Sequence, residues 1–289
     1  MRHAAGLRVA EVLRPGAVLR PGIQDHRQLR QPELLPHLIQ HVSATGLSVA
    51  YRGKKTPAID NLSVGFGDGV TSVVGPNGSG KSTLFRSLVT LQRRYAGQLS
   101  VLGHDLHDTS SLLEVRRRIG YLPQDFDFTP SFTVHEFVSY VAWLKRVSNP
   151  ANAINEAIAA VGLTEQRDVR LGRLSGGMRR RAGIAQAIVN SPELLLLDEP
   201  TAGLDPEQRI NFRQLIRDLG TVRGVITSTH LIEDVRAASN HVIVLSLGRL
   251  AFNGSVDDLE LRAREGSVGD TPLERAYTEV LKNGSGADL

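Results

Sequence analysis

VTSVVGPNGSGKSTLF, Val70 to Phe85, reads as a strand, a tight loop and a helix in succession. Four of its first five residues are β-branched and suit a buried strand; the run of Gly, Pro, Asn and Ser cannot extend it, and Lys81 onward resumes at helical spacing. Gly75 to Thr83 matches G-x-x-x-x-G-K-[ST] in the context that the motif requires, after a strand and at the head of a helix. Gly75, Gly78 and Gly80 let main-chain N–H groups curl around an anion, with Asn77 and Ser79 completing the loop. Lys81 can reach the terminal phosphates of a nucleotide, Ser82 can ligate magnesium, Thr83 adds a second hydroxyl, and the helix points its N-terminus at the same place.

The same alternation recurs on both sides of this stretch. Short apolar runs (LSVAY, LLLLDE, GVITST, HVIVLSL) alternate with helical stretches such as KSTLFRSLVTLQ and PEQRINFRQLIRDLG, which predicts a largely parallel sheet with helices packed on it. From Gln124 to about Arg173 the strands stop, and TVHEFVSYVAWLKRV and NPANAINEAIAAVG follow as two helices. The fold class is therefore α/β: a phosphate-loop nucleoside triphosphatase core, an N-terminal antiparallel β region, and a helical insertion at about 125–173. Residues 1–41, rich in Arg, Gln, Pro and Leu without a period, are expected to be a disordered extension, 42–258 the ATPase domain, and 259–289 a C-terminal segment. In that segment Leu273, Ala276, Tyr277, Val280 and Leu281 recur at helical spacing.

The chain has 289 residues, 41% of them hydrophobic, enough to bury a sizeable core. Its formal net charge is +4, and residues 1–40 carry six Arg against Glu11, Asp25 and Glu33, so +3 of that total lies there and the body is nearly neutral. A dedicated nucleic-acid binder needs a net basic face, and nucleic acid is not expected as a partner. Without cysteine there is neither a disulfide framework nor a Cys-based metal site. FVSYVAWL and VIVLSL fall well short of the roughly 18 to 20 apolar residues that span a bilayer, so a membrane role is expected to run through a partner. MRHAAGLRVAEVLRPGAVLRPG, broken by Pro15 and Pro21, does not read as a secretory signal.

LLLLDE, Leu194 to Glu199, is a fully apolar strand that ends in two carboxylates, as expected where a buried strand delivers acids to the phosphate end of a parallel sheet. Asp198 is placed to hold magnesium through water, and Glu199 to polarise the water that attacks the γ-phosphate. LSGGMRRR, Leu174 to Arg181, opens another helix with three cations where a helix start favours acids. At about 100° per residue three consecutive side chains cannot all face one ligand, and at least two of Arg179, Arg180 and Arg181 are expected to face solvent.

From about Val42 to Gly254 these pieces fall in an order that resembles the ATP-binding cassette (ABC) ATPases of membrane transporters. Gln124 in GYLPQD resembles the family's glutamine loop, LSGG its signature, Ala202 to Asp205 its D-loop, His230 in STH its switch histidine, and Tyr51 the aromatic that stacks on adenine. Met178 stands where the family usually has glutamine, as in its drug- and antibiotic-exporting branches. The resemblance implies ATP and Mg2+ as ligands, with Ser82, Gln124 and Asp198 at the metal. It implies Glu199, His230 and Gln124 in catalysis, and Ser175, Gly176, Gly177 and Asp205 contacting nucleotide held by a second subunit. It further implies a homodimer or a pair with a related chain, a separate transmembrane permease, and a cytoplasmic location on the inner face of the cell membrane; the Met-Arg-Arg-Arg run and the LERAY element, Leu273 to Tyr277, resemble exporter ATPases, which implies export. The alternatives are a soluble cassette ATPase acting on nucleic acid or ribosomes, and a small-molecule kinase that would leave LSGG unexplained. GFGDG, Gly65 to Gly69, precedes a strand and reads as a turn; His104 and His107 in GHDLHD lack a third clear metal ligand.

Overall fold

The computed structural model describes residues 40–285, with the backbone alone at 285. Residues 1–39, where the disordered extension is expected, lie outside the described residues, as do 286–289. Strands β1 (Val42–Val49) and β2 (Ile59–Phe66) form an antiparallel pair. GFGDG is the turn that carries the chain from β2 into β3 (Gly69–Val74), which joins a different sheet.

Helix α1 (Lys81–Leu88) follows β3, and β4 (Ala96–Val101) and β5 (His104–Asp105) return to the first sheet, giving the order β2-β1-β4-β5. The helix expected to run to Gln92 stops at Leu88, and Thr90, at φ 64°, turns the chain away while its hydroxyl accepts from Arg116 Nε at 2.6 Å. His104 and His107 part company: His104 lies 3.1 Å from an Arg118 nitrogen, whereas His107 packs on Tyr95 and bonds the Gly97 carbonyl.

Beyond α2 (Leu112–Arg118) and β6 (Ile119–Leu122) comes the insertion, α3 (Val134–Leu144) and α4 (Pro150–Ala160). Thr133 and Glu136 close a capping box at the start of α3, a device worth about 1 kcal/mol. Then follow α5 (Gly176–Ile188), β7 (Leu194–Asp198), α6 (Pro206–Gly220), β8 (Gly224–Thr229), α7 (Ile232–Ala238), β9 (His241–Ser246) and β10 (Arg249–Ser255). Among the described residues the second sheet has the order β10-β9-β3-β8-β7-β6, parallel except at β10.

Strand β7 shows why LLLL is needed. Its side chains alternate faces, so Leu194 and Leu196 join the core under α1 and the antiparallel sheet, while Leu195 and Leu197 join the core with α3 to α6. Each such burial contributes about 1.5–3 kcal/mol. Helix α5 lies against β6 so closely that a Cβ on Gly120 would meet the Ala187 carbonyl at 2.2 Å. On its other side α5 shares a core with α3 and α4, and so it ties the insertion to the sheet.

The C-terminal segment contains α8 (Val256–Glu260), which straddles residue 258, and α9 (Pro272–Ser285). The expected apolar stripe is buried: Leu273, Ala276 and Val280 pack with Val242 and Val244 of β9, and Tyr277 and Leu281 are partly covered. Among the described residues no helix is long and apolar enough to cross a membrane.

Candidate functional site

Three parallel strands end at one level. Val74 of β3 pairs with Thr229 of β8, and Ser228 of β8 pairs with Asp198 of β7. Beyond these C-terminal ends, where open α/β sheets bind ligands, lies a cleft of about 390 Å³. It is lined by the loop from Asn77 to Thr83 with Gln124, Glu199 and His230, together with Ala58 and Ala202.

The loop can only be built with glycine at its ends. At Gly75 (φ 158°) an added Cβ would stand 2.3 Å from the Leu245 carbonyl, and at Gly80 (φ 104°) 2.5 Å from that of Ala58. The first turn of α1 carries no acid, so its free N–H groups keep their positive end. Buried Lys81 donates from Nζ to the Gly75 carbonyl at 2.6 Å and the Pro76 carbonyl at 3.2 Å. Burial lowers its pKa, and the carboxylates of Glu199 and Asp198 work against that shift. The buried Ser79 hydroxyl has no protein partner. An orphaned hydroxyl, a helix N-terminus and a lysine around one loop fit a polyphosphate anion.

Asp198 is buried behind the cleft, and burial raises its pKa. Ser228 Oγ donates to its Oδ1 at 2.5 Å and accepts from the Glu199 N–H at 2.8 Å. Glu199 itself has φ 49°, a left-handed conformation that costs a non-glycine residue about 1–3 kcal/mol. His230 Nδ1 lies 2.8 Å from Glu199 Oε2. The Ser82 hydroxyl, the Asp198 carboxylate and the Gln124 amide are hard oxygen donors of the kind Mg2+ takes, with Ser82 and Gln124 on the cleft wall. Tyr51 is not part of that wall; its hydroxyl lies 3.3 Å from Thr83 Oγ1.

Ser175, Gly176, Gly177 and Asp205 do not line the cleft. Ser175 caps α5 by accepting from the Met178 N–H, and both Ser175 and Gly176 are exposed. Gly177 is buried under Gln208, whose Oε1 would stand 2.4 Å from a Cβ there. The Gln208 N–H is in turn accepted by Asp205, the cap of α6.

The expectation that at least two of the arginines face solvent is overturned. None of the three is fully exposed. Arg179 donates to the Leu174 carbonyl at 2.6 Å and lies over the Phe128 ring, and Arg181 donates to the Val161 carbonyl at 2.8 Å. Arg180 reaches the carbonyls of Gln124, Glu199 and Pro200. Helical geometry spreads the three Cβ atoms around α5, but a long stem with five donors lets each side chain curl back to protein carbonyls.

Sequence reasoning missed Ser228 and Arg180, and also the buried Asp234 of α7, which holds Thr201 and Arg213. Ser228 had a readable cue, two residues before His230 in a β-branched strand; Arg180 and Asp234 had none, since their partners lie 19 or more positions away.

A family model described as ABC transporter matches residues 59–202. The chain is 33% identical over 238 residues to the phosphonates import ATP-binding protein PhnC of Bordetella parapertussis, covering 75% of this chain and 91% of that one. It is 34% identical over 242 residues to ATP-binding cassette sub-family A member 7 of Rattus norvegicus, covering 83% of this chain but spanning only 11% of that much longer protein. A solved dimeric structure of the ATP-binding cassette MJ0796, in a post-hydrolysis state with ADP and Pi, superposes with a TM-score of 0.67 at 25% identity, over 74% of this chain and 98% of that one. The fold and cleft define a phosphate-loop ATPase domain of the cassette type. The chain belongs to the ABC transporter family, among its ATP-binding proteins.

Proposed function

We propose that this chain is the ATP-hydrolysing subunit of a transporter, that it pairs with a second copy around two ATP molecules, and that it drives a separate transmembrane permease in the export direction. The observation that carries this reading is the division of the predicted residues. Lys81, Ser82, Gln124, Glu199 and His230 share one cleft, while Ser175 and Gly176 form an exposed helix end outside it. A helix end with free N–H groups and a serine hydroxyl suits a phosphate brought by another subunit.

In this scheme the loop amides and Lys81 hold the phosphates, and Tyr51 and Thr83 flank the nucleotide. Glu199 accepts a proton from the attacking water, with His230, 2.8 Å from its carboxylate, orienting it. Mg2+, held by Ser82, Asp198 and Gln124, would supply charge neutralisation at the phosphates. Asp205, through Gln208 and Gly177, keeps the α6 cap beside the signature helix. Export is supported by Met178 followed by three arginines and by the LERAY element of α9; PhnC, by its name, serves import. The protein then sits on the inner face of the cell membrane through its permease.

Co-purification from the native membrane tests the partner: a polytopic protein is expected to come with the tagged chain, and capture of ribosomes or nucleic acid instead would overturn the transport reading. Transport by the purified pair in inside-out vesicles then reads the direction.

A further inference from the structure

Arg180 leaves α5 beyond its first turn and ends among three main-chain carbonyls. Nη1 donates to Gln124 O at 2.6 Å, Nε to Pro200 O at 3.2 Å, and Nη2 to Glu199 O. Two of these oxygens belong to the residue whose carboxylate faces the cleft and to the residue after it. The third belongs to the loop glutamine, which also lines the cleft. Glu199 holds an unfavourable left-handed backbone, and the peptide units on either side of it are both held, by Ser228 Oγ on its N–H and by Arg180 on its carbonyl. A planar guanidinium can serve three acceptors in this way, whereas an ammonium on a similar stem is a point charge. The guanidinium is also desolvated and lies within the field of Asp125, Asp198 and Glu199.

We infer that Arg180 is a positioning residue for Glu199: by clamping the Glu199–Pro200 main chain to the carbonyl of Gln124, it aims the Glu199 carboxylate at the attacking water. Arg180 is not among the residues that line the cleft. Because one side chain holds both loops, a displacement of the Gln124 loop changes the support of Glu199, and α5, which begins at Ser175, carries the clamp. The inference rests on the reading of Glu199 as the base.

The test uses the full chain with Arg180→Ala, Arg180→Lys, Glu199→Gln and the double variant Glu199→Gln/Arg180→Ala. The measurements are kcat at saturating ATP and Mg2+, the ATP Kd by calorimetry, and the thermal midpoint. Arg180→Ala is expected to lower kcat at least about tenfold, since an error near 1 Å in a catalytic group can cost about a hundredfold, with Kd within about twofold. Arg180→Lys should restore only part of the loss. In the Glu199→Gln background the alanine change should add less than about twofold, as coupled residues are not additive. Wild-type kcat in Arg180→Ala, a Kd that rises in step with the loss of rate, or full additivity with Glu199→Gln would each overturn the inference. If Arg180→Ala does not fold, Arg180→Lys decides: a lowered kcat with Kd retained supports it, and a wild-type kcat sinks it. A Glu199→Gln chain that hydrolyses at the wild-type rate removes the base assignment and this inference together; an inactive Glu199→Gln beside a normal Arg180→Ala removes the inference alone.

Discussion

In the proposed function the ends of β3, β7 and β8 and the start of α5 both meet anions, yet they differ in how complete they are. At the strand ends a lysine, hydroxyls, a carboxylate and an imidazole converge on one cleft. At α5 there is an exposed serine cap and an exposed glycine, with the neighbouring arginines turned back into the protein. The strand ends are gathered by the register of a parallel sheet, which brings residues far apart in sequence to one level. The α5 start rests on a local cap, and among the described residues Ser175 and Gly176 stay exposed. On the proposed function one region is a site in itself and the other is half of one.

The largest effect that would break this comparison lies at Glu199. Glu199→Gln is expected to cut ATP hydrolysis by about 10²- to 10⁴-fold, the range for a general base, while ATP binding persists and traps a dimer. A variant that stays monomeric on a sizing column with ATP and hydrolyses normally would collapse the distinction. Next comes Lys81→Ala, expected to weaken ATP binding about tenfold or more through loss of a charge-assisted contact; unchanged affinity by calorimetry would mean that the loop is not the phosphate site.

Mixing sharpens the point further. Lys81→Ala and Ser175→Arg chains should each be nearly inactive alone, but a mixed pair joins one intact loop to one intact α5 start. Recovery of up to about a quarter of the wild-type rate is expected on random pairing, and none if the two regions never meet. The smallest effect on chemistry is expected at Leu273, buried in α9. Leu273→Ala should lower stability by about 2–5 kcal/mol in urea unfolding and leave the ATP Kd unchanged, which separates the C-terminal support from both anion sites.

Much of the fold was legible because its signals are local. The strand, loop and helix of Val70 to Phe85, the fully apolar strand LLLL and the helix of TVHEFVSYVAWLKRV each depend on residues within a few positions. Helix α8 was missed because its five residues are too few for a period to show. The solvent-facing arginines were misjudged because helical spacing describes where a Cβ starts and not where a guanidinium finishes.

The α/β order and the phosphate loop are written in neighbouring residues, since glycine requirements, strand composition and helix starts are local properties. Ser228 supporting both Asp198 and Glu199, Arg180 binding two loops at once, and α9 completing the core over β9 emerge from the folded chain alone. Those contacts depend on strand register and on the reach of side chains across space, and neither is encoded within a few positions of sequence.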